Sequence, residues 1–267
     1  MGETSIEWTE STWNPIVGCS IATPGCTNCY AMRMAARIEA MGTAPHYDGT
    51  TERVKGRAIW TGKLSLAPDD LIAAPLRRRR PTTYFVNSMS DLFHEDCPDA
   101  WIDRVFGIMG EASHHTFQVL TKRAQRLHDY LAVHQQKPLP NVWLGVSTER
   151  QKEADERIPL LLTAPAAVRF ISAEPLLGPL NIRSYIRGRK ERVGACSSRR
   201  PPLDWVIVGG ESGPRARPMD PTWVESLRVQ CDGSDAAFFF KQWGGKNKKA
   251  AGRLLHGRTY DAMPLGF

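Results

Sequence analysis

The fold turns on residues 116–134, TFQVLT-KR-AQRLHDYLAVH. Six residues of strand character, Thr116–Thr121, are followed by two cations, Lys122 and Arg123, and by a helix expected over Ala124–His134. A short, nearly continuous apolar run suits a strand covered on both faces, as in parallel sheets, better than one with a wet face. The same unit recurs on either side. Apolar runs stand at residues 83–87 (TYFVN), 141–146 (NVWLGV), 168–172 (VRFIS), 205–208 (WVIV) and 237–241 (AFFFK). Helices are expected over 99–113, 149–162 and 221–230, and a further helix over 31–41 follows a short strand before Cys19. Strands alternating with helices give right-handed βαβ crossovers, and about seven such units favour an α/β fold, a full or partial (β/α) barrel. An open doubly wound sheet is the alternative.

Two segments interrupt the rhythm. Residues 44–81 read as an insertion after the first helix, and residues 182–203, basic and rich in Ser and Pro, read as a flexible excursion. Residues 1–244 are thus expected to form one domain, and 245–267 a basic, loosely ordered C-terminal tail. In a barrel, reactive groups collect where the strands end. Those ends carry Ser88-Met89-Ser90-Asp91, Lys122-Arg123, Ser147-Thr148-Glu149, Glu174, Gly209-Gly210-Glu211-Ser212-Gly213 and Gln242-Trp243-Gly244.

Composition narrows the setting. At 42% hydrophobic residues the chain can bury an ordinary core. No apolar run reaches the roughly 18 residues that span a bilayer, so no membrane partner is expected. The first thirteen residues carry Glu3, Glu7 and Glu10 and lack the pattern of a signal peptide, which implies a cytoplasmic protein. Six cysteines there do not form a disulfide framework. Cys97, Cys196 and Cys231 are scattered and read as small buried thiols. The net charge of +7 fits a nucleic acid or nucleotide partner. Its cations gather at 77–80, 187–200 and 241–258, all expected loops or tail, where solvated charge is the ordinary reading.

Cys19, Cys26 and Cys29 lie within eleven residues and suggest a metal centre. Cys29 sits near the N-terminus of the helix expected over 31–41, a position that favours thiolate. A structural zinc site closes with four ligands, and only three cysteines are local; His46 or Cys97 would have to complete it. Three thiolates fit a 4Fe–4S cluster with one iron left open. Packing or redox cysteines are the third reading of the spacing.

The cysteine loop at the opening of a β/α barrel resembles the signature of the radical S-adenosylmethionine superfamily. There three cysteines hold a 4Fe–4S cluster whose fourth iron chelates S-adenosylmethionine, which is cleaved to a hydrogen-abstracting 5′-deoxyadenosyl radical. The spacing here is C-x6-C-x2-C, where the commonest in that superfamily is C-x3-C-x2-C. The whole chain is also similar to a phage and bacterial family of unassigned function with a three-cysteine motif. Its features WNP-x-x-GC, GC-x-x-CYA, SMSDLF, GVSTE, AEPLLG, GGESG and FFFKQWG occur in order from Trp13 to Gly244. That family brings no established reaction, so the radical chemistry is implied only through the wider superfamily.

The rim residues acquire expected roles on this footing. Ser88, Ser90 and Asp91 would contact the amino group of the cofactor, or cap the next helix. Ser147 and Thr148 would bond ribose hydroxyls, or act as ordinary N-caps. Glu174 would bind the cofactor, or form a salt bridge with Arg169 or a lysine. Lys122 would hold a substrate carboxylate or phosphate, with Glu211 balancing it as the second catalytic candidate. Gly209–Gly213 reads as a tight βα turn more than as a phosphate cradle. His94, His114 and His115 lack ligand spacing. Three functions compete: a radical S-adenosylmethionine enzyme acting on nucleic acid or a nucleotide, with a partner protein encoded nearby left open; a zinc-stabilised nucleic-acid-binding protein without turnover; and a nuclease using Asp91, Glu149, Glu174 and Glu211 with a divalent metal.

Overall fold

A computed structural model of the chain describes residues 2–134, 137–186 and 202–264. Its centre is one sheet whose strands, in chain order, are β1 (Gly2–Glu3), β2 (Ser11–Trp13), β3 (Thr83–Val86), β4 (Thr116–Thr121), β5 (Val142–Ser147), β6 (Val168–Ala173), β7 (Trp205–Gly209) and β8 (Ala237–Gln242). β1 pairs antiparallel with β2, and β2 to β8 are parallel, each beside the next in sequence. That sequential order is the winding of a barrel and excludes the doubly wound alternative, whose strand order would reverse at a switch point. β2 and β8 are not hydrogen-bonded to each other, so the seven parallel strands form a curled half-barrel.

Its helices are α1 (Tyr30–Met41), α2 (Asp99–Glu111), α3 (Ala124–His134), α4 (Gln151–Thr163) and α5 (Pro221–Asp232). α2 to α5 cover the convex face, where Ile102, Leu127, Ile158 and Leu227 pack against outward strand residues such as Val119, Val146, Ile171 and Val208, while α1 packs against Tyr47 and Trp60. The inward residues make a separate aromatic core of Trp8, Trp143, Phe170, Trp205 and Phe239. The Trp205 ring centroid lies 5.8 Å from that of Trp143, 5.6 Å from Phe170 and 5.9 Å from Phe239. Gly145 makes this plug possible: a Cβ there would sit 2.5 Å from the Phe170 ring. Each strand thus buries both faces, which is why its sequence runs apolar without a break. No helix among the described residues is long and apolar enough to cross a membrane.

The insertion contains the hairpin Thr51–Val54 with Arg57–Trp60, and a strand Ser65–Leu66 paired with Ile16–Val17. Residues 187–201, with Cys196 and most of the basic excursion, lie outside the described residues. The excursion's ends are anchored: Ile182 and Leu203 are buried, and the Ile182 amide donates to Gln230 Oε1 at 2.7 Å.

The tail expectation is corrected. After a helical turn at Lys248–Ala251 the tail returns to β8, where Phe239 bridges Asp261 and the Phe240 amide donates to the Tyr260 carbonyl at 2.9 Å. Trp205 Nε1 donates to the Ala262 carbonyl at 2.9 Å, and Leu255 is buried. The cause is the edge: β8 would otherwise present unpaired backbone groups to solvent. Truncation after Gly244 is therefore expected to cost about 3 kcal/mol, from one buried leucine and one buried hydrogen bond, and to promote aggregation. Thermal unfolding with light scattering checks this; an unchanged Tm and a clear solution would contradict it.

Candidate functional site

A cavity of about 250 Å³ opens at the C-terminal ends of the parallel strands. Cys19, Cys26 and Cys29 all stand in its wall, with Ser88, Ser90, Asp91, Lys122, Ser147, Glu174 and Glu211. Residues from five separate rim loops therefore meet the cysteine loop at one place. Of the expected site residues, Glu149 is absent from the wall, and so is Thr148. Thr148 is fully buried behind it, its hydroxyl without a partner.

The cysteine loop is built locally and then tied down. Gly18 precedes Cys19 with φ +90, and a Cβ there would meet the Lys63 carbonyl at 2.0 Å, so only glycine fits. Pro24–Cys26 form one 3-10 turn, and the Cys29 amide donates to the Cys26 carbonyl at 3.2 Å. Four distant elements then grip the loop. Thr23 Oγ1 donates to Glu149 at 2.8 Å. Asn28 Nδ2 donates to Glu211 at 2.9 Å, and Arg217 reaches the Pro24 carbonyl at 2.9 Å. Arg57 of the inserted hairpin donates to the Thr27 carbonyl and to Asn28 Oδ1 at 3.0 and 2.9 Å. Arg123 donates to Ser20 Oγ at 2.7 Å.

Cys26 is buried in the pocket wall, and Cys19 and Cys29 are half-buried there. Burial pushes Cys19 up to about 12, helped by Asp91 and opposed by Arg123. Burial also raises Cys29. Cys29 is the N-cap of α1 as expected, and the Ala31 and Met32 amides do favour its thiolate, but desolvation outweighs them. A bound cation reverses that balance, since coordination deprotonates a thiol outright.

Among the described residues, no three His, Cys, Asp or Glu side chains are grouped closely enough to hold one ion. A single zinc needs its sulfurs roughly 3.8 Å apart, from tetrahedral bonds of about 2.3 Å. A polynuclear cluster takes each thiolate on a different iron and accepts a wider spread. The three thiols line one pocket, and among the described residues they do not form a set that could hold a single ion. The wall also carries buried polar atoms with no partner in the protein: Trp8 Nε1, Asn87 Nδ2 and Gln242 Oε1. Such groups are costly unless a polar ligand or water meets them.

Each rim carboxylate is matched with a cation. Asp91 is buried; it accepts from the Phe93 amide at 3.1 Å, Thr121 Oγ1 at 2.6 Å, the Lys122 amide at 2.9 Å and Arg123 Nη1 at 3.1 Å. It is a junction, and its expected contact with a cofactor amino group is filled by protein. Glu149 accepts from Lys122 and, at 3.0 Å, from Arg157. Glu174 pairs with Lys241 at 3.0 Å, the lysine salt bridge set against its ligand role, and Arg169 is not its partner. Glu211 takes Arg217 through Nε at 2.9 Å and Nη2 at 2.5 Å. The expected pairing of Lys122 with Glu211 is therefore corrected: Lys122 serves Glu149, and Glu211 holds the cysteine loop through Asn28. With their oxygens taken by cations, these carboxylates make a poor divalent-metal set for a nuclease.

The capping readings are corrected too. α2 begins after Pro98 and α4 after Arg150, so Ser88, Ser90, Asp91, Ser147 and Thr148 cap neither. Ser88 Oγ donates instead to Asn14 Oδ1 at 3.1 Å, and Ser90 Oγ to the Ile16 carbonyl at 2.9 Å, leaving their lone pairs for a ligand. Arg123, Asn14, Asn87, Arg157 and Arg217 were missed as organisers. Arg123 was the most accessible of them from sequence, standing beside Lys122 at a strand end. Its guanidinium links Asp91, Glu95 and Ser20 and lies 3.9 Å from Cys19 Sγ.

Gly25 is held close against the rim. A Cβ there would lie 2.3 Å from Glu149 Oε1, and that carboxylate is pinned by Lys122 and Arg157. Gly25→Ala is expected to cost about 1–3 kcal/mol by overpacking and to loosen the loop. Denaturant unfolding and the rate of Cys26 labelling measure both; wild-type values in each would contradict the packing role.

A family model described as a protein of unknown function (DUF5131) matches residues 3–264. No curated protein and no solved structure matches the chain.

Proposed function

We propose that the chain, which belongs to the DUF5131 family, is an iron–sulfur enzyme that uses S-adenosylmethionine on a nucleic acid or nucleotide. The observation that carries this is the gathering of three thiols with unpartnered buried polar groups around one cavity of a parallel half-barrel. Cys19, Cys26 and Cys29 would hold a 4Fe–4S cluster. When bound, the cluster and the cofactor supply one-electron reduction and hydrogen abstraction.

The remaining work belongs to the chain's own side chains. Arg123 offsets thiolate charge beside Cys19. Ser88, Ser90, Ser147 and Glu174, with the orphaned amides of Asn87 and Gln242, offer the polar contacts for the cofactor. Lys122 and Glu211 face the same space and orient substrate, each already neutralised by its own partner, so neither leaves an uncompensated charge behind. The aromatic plug beneath keeps water from entering through the strands' other end.

Anaerobic reconstitution with iron and sulfide tests the proposal. Brown protein with about four irons per chain is expected, together with an electron paramagnetic resonance signal that changes when S-adenosylmethionine is added. Cys26→Ala is expected to lose the iron. Colourless protein retaining stoichiometric zinc would overturn the reading.

A further inference from the structure

A second cavity, of about 260 Å³, adjoins the first and shares Asn28, Cys29 and Ser212 with it. Three arginines from three separate elements stand in its wall: Arg33 of α1, Arg57 of the inserted hairpin, and Arg215 of the loop after β7. None of them pairs with a carboxylate among the described residues. Arg57 is spent on the cysteine loop, donating to Thr27 and Asn28. Arg33 lies against the backbone of Gly213, where a Cβ would stand 2.7 Å from its Nη2; Gly213 has φ +122 and so could not carry a side chain cheaply in any case.

Three like charges line one small space, Arg33 and Arg215 exposed and Arg57 half-buried, where they repel each other through solvent, and the fold still brings them together from positions far apart in sequence. Elsewhere at this rim every exposed or buried cation described above has a carboxylate. An anion placed among the three guanidiniums removes the repulsion, and their planar forks match phosphate oxygens better than ammonium groups would.

We propose that this arginine cavity is a phosphate subsite, holding a phosphate of a nucleotide unit whose base or sugar enters the thiol cavity. The inference rests on the reading of the thiol cavity as the reaction centre only for what the rest of the nucleotide does. The phosphate site itself stands on the three arginines. It also gives the GGESG turn a role that the sequence pattern alone left weak: its last residues, Ser212 and Gly213, form the wall the arginines face.

The test is binding of a short fluorescent single-stranded oligonucleotide of mixed sequence to the full chain, read by anisotropy. It is run with wild type and in a Cys26→Ser background, so that loss of any metal centre leaves the phosphate measurement intact. Unlabelled oligonucleotide, inorganic phosphate, a mixture of the four nucleoside monophosphates, and the unphosphorylated nucleosides serve as competitors. The double variant Arg33→Gln/Arg215→Gln is expected to bind at least tenfold more weakly and to have a shallower salt dependence, by about one to two in slope. Arg33→Lys/Arg215→Lys keeps the charge and is expected to recover part of the binding, which guards against a folding defect in the first variant. Monophosphates should compete and nucleosides should not. Monophosphates competing as strongly as unlabelled oligonucleotide identify a free nucleotide as the source; monophosphates competing only at much higher concentration than unlabelled oligonucleotide identify a strand. Absence of oligonucleotide binding, wild-type affinity in both double variants, or nucleosides competing as well as monophosphates would each overturn the subsite.

Discussion

Glu149→Gln is expected to destabilise the protein by about 3–5 kcal/mol, the cost of leaving buried cations without their counter-charge. Glu149 is 1% exposed and has three partners at once: Lys122, Arg157 and Thr23. Arg157 is itself buried and also donates to the Ser147 carbonyl at 2.7 Å, so it cannot swing into water when its carboxylate goes. Glutamine keeps one acceptor but turns an amide N–H₂ towards two cations. The same group sets an acid limit. Burial would raise the Glu149 carboxyl, but Lys122 and then Arg157 overcome this and hold it at about 2, against an ordinary 4.5. A depressed folded-state pKa contributes stability above the unfolded value and loses it as pH falls through the folded one. The window is therefore pH 4.5 down to about 2, and the difference corresponds to roughly 3 kcal/mol. Urea unfolding at pH 7 and at steps below 5 tests both parts. A loss under 1 kcal/mol at pH 7, or an unchanged acid slope in the variant, would contradict the assignment.

Arg123→Lys is expected to keep the fold and to weaken iron retention by tenfold to a hundredfold, the usual effect of removing a group that orients metal ligands. Lysine can still pair with Asp91. It cannot also reach Glu95, Ser20 and Cys19, which the guanidinium serves from one plane. The measurement is the rate of iron transfer to a chelator from reconstituted protein. In metal-free protein, Cys19 should also react faster with a thiol reagent, because Ser20 is no longer held. Wild-type iron retention and wild-type labelling together would remove Arg123 from the site's support.

The sequence was most informative where one physical signal acted alone. Strands β4 and β5 and helix α3 were legible because burial on both faces, or on one stripe, dictates the pattern residue by residue. The cysteine loop was legible from its spacing. The helix that Glu149 was expected to open begins two residues later, at Gln151, because the carboxylate is drawn into an ion pair with Lys122 and Arg157 that no local pattern reveals. Pairings such as Lys122 with Glu149, or Glu211 with Arg217, depend on which rim loops lean together, and neither charge nor periodicity encodes that. The arginine cavity was invisible for the same reason: Arg33, Arg57 and Arg215 are unremarkable singly, and the conspicuous basic runs are elsewhere. The ordered tail was misread because its low apolar content hid a backbone role, the closing of an edge.

The cysteine loop's ties also impose a timetable. Thr23 precedes its partner Glu149 by 126 residues, Asn28 precedes Glu211 by 183, and Pro24 precedes Arg217 by 193. At ordinary synthesis rates roughly 10–40 s separate the appearance of the thiols from that of the last side chain that gathers them. Through that interval the loop has at most its ties from Arg57, Arg123 and Glu149 and lacks those to Glu211 and Arg217. A cluster of the proposed kind would meet its full set of supports only after Arg217 has been made, so its loading would follow synthesis at least to that residue, and the first-made thiols wait for the last-made supports.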